Sequence, residues 1–100
     1  MDNRVTSAIE DYIYDLTEPK RNWPEYYFRQ VSFSRFAAGE ILKLVKEAST
    51  FQESIDAVAD FSIKMKSFAI MDHDNKNDAQ IFSVAYEVAT DILDILNAMK

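Results

Sequence analysis

Apolar side chains recur at steps of three and four in four stretches of this 100-residue chain, with polar side chains between them. At that spacing successive side chains return to the same side of an α-helix. In the first stretch Val5, Ile9, Tyr12, Ile13 and Leu16 share one stripe, and Glu10, Asp11 and Asp15 fall largely off it, which predicts a helix over 3–16. Pro19 ends the pattern, because its ring drives the preceding residue, Glu18, out of the helical region.

Asn22-Trp23-Pro24-Glu25 then reads as a helix start: asparagine caps, proline is tolerated in a first turn, and a glutamate stands three residues after the cap. Tyr26, Tyr27, Phe28 and Val31 follow on it. Ser32-Phe33-Ser34 offers a second cap, followed by a stripe of Phe33, Phe36, Ala37, Ile41, Leu44, Val45 and Ala48. The pattern leaves two arrangements open, one bent helix over 23–48 or a short helix at 23–31 followed by a long one. Gly39 lies inside the long piece, where it costs about 1 kcal/mol relative to alanine, and it is expected to let a neighbouring helix approach closely.

The third start is the clearest. Thr50-Phe51-Gln52-Glu53 matches a capping box, in which hydroxyl and carboxylate each accept a backbone N–H. Ile55, Val58, Phe61 or Ser62, Met65, Phe68 and Ala69 carry the stripe to about Met71. Residues 72–78 are polar throughout and read as a loop, with Asp78 as the cap of the last helix. Ile81, Phe82, Ala85, Val88, Ala89, Ile92, Ile95, Leu96 and Met99 mark that helix to the end of the chain. Four apolar stripes joined by short connections must meet, and the expected fold is one all-α domain over 1–100. It is a compact four-helix bundle, with an extra short helix at 23–31 if the second stretch divides. One glycine and two prolines agree with this, since β-sandwiches and barrels use many turns.

Composition narrows the chemistry. There is no cysteine, which excludes disulfides, thiolate nucleophiles and cysteine-ligated metals. The start Met1-Asp2-Asn3-Arg4 leads into an amphipathic stretch rather than an apolar run, and no stretch approaches the ~18 apolar residues of a membrane span, so the expected location is the cytoplasm, with no membrane partner. The net charge is −6 and uneven: residues 1–50 carry seven Lys and Arg against eight Asp and Glu, residues 51–100 four against nine. Such a surface repels phosphate backbones, so direct nucleic-acid binding is disfavoured; it would suit a basic protein partner, although the commoner role of such charge is solubility alone.

Catalytic constellations are sparse. The single histidine, His73, stands with Asp72, Asp74 and Asp78 in a segment whose commoner reading is a solvated connection, because no metal-ligand spacing is present. As a calcium loop it fails at Lys76, Asn77 and Ser83, which replace a ligand, the glycine and the bidentate glutamate. No nucleophile elbow, P-loop or dinucleotide fingerprint exists. Asp56 with Asp60, and Asp91 with Asp94, form carboxylate pairs that could do acid–base work only if buried. No cofactor is expected.

The most suggestive feature is aromatic. Trp23, Tyr26, Tyr27, Phe28, Phe33 and Phe36 fall within fourteen residues, interleaved with Arg29 and Arg35 and preceded by Lys20 and Arg21. The commoner reading is that most of these rings fill the core of a small bundle; aromatics and arginine also dominate protein interfaces. The expected interaction surface is Trp23, Tyr26, Tyr27, Phe28, Arg29 and Arg35.

At Phe33-Ser-Arg-Phe-Ala-Ala-Gly-Glu-Ile-Leu42 and Ile81-Phe-Ser-Val-Ala-Tyr-Glu-Val-Ala-Thr-Asp-Ile-Leu93 the chain resembles small uncharacterised helical proteins of Gram-positive bacteria and their phages. The resemblance implies a bacterial or mobile-element origin and transfers no activity and no site. The leading functional expectation is therefore a non-enzymatic interaction or regulatory protein, working through a helical, aromatic surface on a protein partner or as a homodimer. The alternatives are an acidic inhibitor that imitates nucleic acid to block a nucleic-acid-binding enzyme, and a metal-binding or catalytic protein built on His73 and its neighbouring acids.

Overall fold

The computed structural model describes residues 3–17, 25–71 and 76–100, with side chains for 3–16, 31–71 and 79–100. Four helices, α1 (Asn3–Thr17), α2 (Glu25–Glu47), α3 (Phe51–Ile70) and α4 (Lys76–Ala98), form a bundle, and no strand occurs among the described residues. None of these helices is long and apolar enough to cross a membrane.

α1 buries Val5 and Ile9 and lays Tyr12, Ile13 and Leu16 against the core, the stripe its spacing requires. α2 is one continuous helix, so 25–31 are its opening turns and not a separate short helix. No proline or glycine interrupts residues 25–38, and Ser34 is itself buried, so tertiary packing carries the helix through the serines that could have capped a second one.

α3 begins at the expected cap. Thr50 has extended backbone (φ −129°, ψ 161°), and its Oγ1 accepts the Glu53 N–H at 3.1 Å. The return bond reaches one residue further than in the standard box: Glu53 Oε2 accepts from Ser49 N–H at 2.8 Å. The buried serines are satisfied within the helix, Ser54 Oγ donating to Thr50 O and Ser62 Oγ to Ala59 O. No buried side-chain polar atom among the described residues lacks a partner.

Ile41 and Val45 of α2, Val58 of α3, and Ala89, Ile92 and Leu96 of α4 are wholly buried and form the core with Ile9. α3 and α4 share the broadest contact and run antiparallel: Phe68 meets Phe82 (ring centroids 5.1 Å apart), while Lys66 Nζ, earlier in α3, lies 5.6 Å from the Tyr86 ring centre, later in α4. α2 packs on α4, and α1 lies mainly on α2. The body is flat, 38 × 35 × 20 Å.

Three expectations of burial fail. Phe36 is 68% exposed, and Phe68 and Met99 are exposed too. For Phe36 the reason is register. The buried row of α2 is Ser34, Ala37, Ala38, Ile41 and Val45; Phe36 lies two residues from Ser34 and five from Ile41, on the outer side of the helix. Gly39 also departs from expectation: a Cβ built there meets nothing within 4 Å, so no helix approaches it closely. Gly39→Ala is therefore expected to stabilise the protein by about 1 kcal/mol, chiefly by restricting the unfolded chain. Thermal unfolding checks this, and a lowered Tm would refute it.

Candidate interaction surface

The flat shape leaves a recess where three helices converge. Phe33, Phe36, Ala37 and Glu40 from α2, Phe61 and Met65 from α3, and Ile81, Phe82 and Ala85 from α4 line a cleft of about 160 Å³. Its wall presents no polar surface, and Ala37 and Ala85 form buried parts of it. Helical spacing places these groups: Phe33, Phe36, Ala37 and Glu40 recur at steps of three and four, as do Phe61 with Met65 and Ile81 or Phe82 with Ala85. The small side chains of Ala37 and Ala85 leave the hollow, and the rings of Phe33, Phe61 and Phe82 wall it. Contact with Phe68 supports the Phe82 ring from α3. At the rim Glu40 Oε1 accepts from Lys43 Nζ at 3.3 Å, an exposed pair that contributes little to stability.

The expected interaction residues meet this surface only in part. Trp23 lies outside the described residues. Tyr26, Tyr27, Phe28 and Arg29 belong to the opening turns of α2, and their side chains lie outside the described set. Arg35 is exposed, one residue before Phe36. Phe36, assigned to the core by its spacing, is the aromatic that stands in solvent at the mouth of the cleft. Phe61, Met65 and Ile81 were legible as stripe residues, but nothing in their spacing distinguishes the wall of a recess from the centre of a core.

A second surface joins α1 to α4. Tyr12 Oη donates to Asp91 Oδ2 at 2.9 Å. Burial, that hydrogen bond, and the charges of Asp91 and Glu87 together hold the Tyr12 phenol protonated well above its ordinary range. Asp11 and Asp15 stand one turn apart on the exposed part of α1, and Glu87, Asp91 and Asp94 recur at steps of four and three on α4. Tyr12 thus connects two helix flanks rich in exposed carboxylates, with Arg4 exposed two turns before Asp11 on the same side of α1. Asp56, Asp60, Asp91 and Asp94 are all exposed, with Asp56 accepting from Gln52 Nε2 at 3.0 Å, so neither carboxylate pair has the burial that acid–base chemistry requires.

A larger hollow of about 670 Å³, between the start of α1, the start of α3 and the end of α4, is open to solvent and lined by both polar and apolar groups, among them Arg4, Thr50 and Lys100. Among the described residues no group of three or more histidines and carboxylates is placed to hold a metal ion. His73, Asp72 and Asp74 lie outside those residues, as does the side chain of Asp78. Comparison of the chain with protein-family models, with curated proteins and with solved structures found no match.

Proposed function

We propose that this chain is a protein-interaction module with no catalytic chemistry of its own, and that its binding surface is the apolar cleft between α2, α3 and α4. One observation carries this reading: an aromatic ring, Phe36, stands 68% exposed at the mouth of a recess whose wall is wholly apolar. Water gains nothing from such a wall, and a partner's apolar side chain seated there would remove both it and the ring from solvent. A bacterial or phage origin belongs to the same reading.

The test is affinity capture from the native cell with wild type, Phe36→Ser and Tyr14→Ser, the last an exposed aromatic on α1, away from the cleft. The expected outcome is a partner retained by wild type and Tyr14→Ser and lost with Phe36→Ser. Equal retention by all three refutes the cleft as the binding surface.

The α1–α4 face favours a second reading, an acidic inhibitor that presents carboxylates in place of phosphates to a basic enzyme. Asp11, Asp15, Glu87, Asp91 and Asp94 supply its motivation. Binding of that kind would weaken steeply between low and high salt and would be abolished by Asp91→Lys with Asp94→Lys. Binding at the apolar cleft would do neither.

A further inference from the structure

We draw no further inference here: the strongest candidate, the apolar cleft between α2, α3 and α4 with Phe36 at its mouth, belongs to the surface already described, and nothing in the structure shows what covers it.

Discussion

Ile92→Ala is expected to destabilise the protein by about 3 kcal/mol, the middle of the range for emptying a fully buried isoleucine site. Ile92 is 0% exposed and sits in the core row of α4, which, like α2, meets all three other helices. Truncation removes the transfer free energy of three carbons and leaves a space that side chains held on four helices cannot close. A domain of this size has roughly 5–15 kcal/mol in total, so the variant loses a large fraction of its stability and its Tm falls by more than about 10 °C. Ile63→Ala is the matched control: the same residue type, but 63% exposed on α3, where the change should stay within about 0.5 kcal/mol. Urea unfolding of both variants checks the contrast. Equal losses would mean that the apolar row of α4 does not face the core.

The second large effect is alkaline. The Tyr12 phenol, donating to Asp91 with the Glu87 carboxylate also near, is favoured in its neutral form in the folded chain. Its folded pKa therefore lies above its unfolded value of about 10. A group of this sign contributes stability that is fully present below the unfolded pKa. As pH rises past 10 toward the folded pKa, the unfolded chain releases a proton that the folded chain keeps, and the contribution is lost. Wild type should lose stability progressively above pH ~10. Tyr12→Phe removes both the hydrogen bond and the titration. It should be less stable at neutral pH by about 1 kcal/mol, the net worth of a hydrogen bond, and should fall less steeply in alkali. The other four tyrosines are common to both proteins, so the difference between the two curves isolates Tyr12. Parallel curves would show that the bond from α1 to α4 does not form in solution.

These two tests probe the scaffold that holds the cleft. α4 supplies Ile92 to the core and Asp91 to Tyr12, and from its other end it supplies Ile81, Phe82 and Ala85 to the recess. Loosening that helix should weaken the fold and, with it, the binding proposed at the cleft, whereas replacing the exposed Phe36 should act on that proposed binding alone.

Much of the architecture was legible in the order of residues. The stripes of α1, α3 and α4, the cap at Thr50 and the end of α1 before Pro19 are local matters, settled by spacing, by side-chain hydrogen bonds over three or four residues, and by proline's ring. Acidity and the absence of cysteine chemistry are matters of composition. What spacing could not decide was which side of a stripe's edge a residue falls on. Phe33 and Phe36 both fit the apolar row of α2, but the row that packing buries is Ser34, Ala37, Ala38, Ile41 and Val45, which leaves Phe36 toward water beside a hollow. Gly39 reads as a point of close approach until the other helices are in place and none comes near. Tyr12 and Asp91 are 79 positions apart, and nothing local couples them. Periodicity reports the direction in which a side chain leaves its own helix; whether another helix stands in that direction is decided by all four packing together.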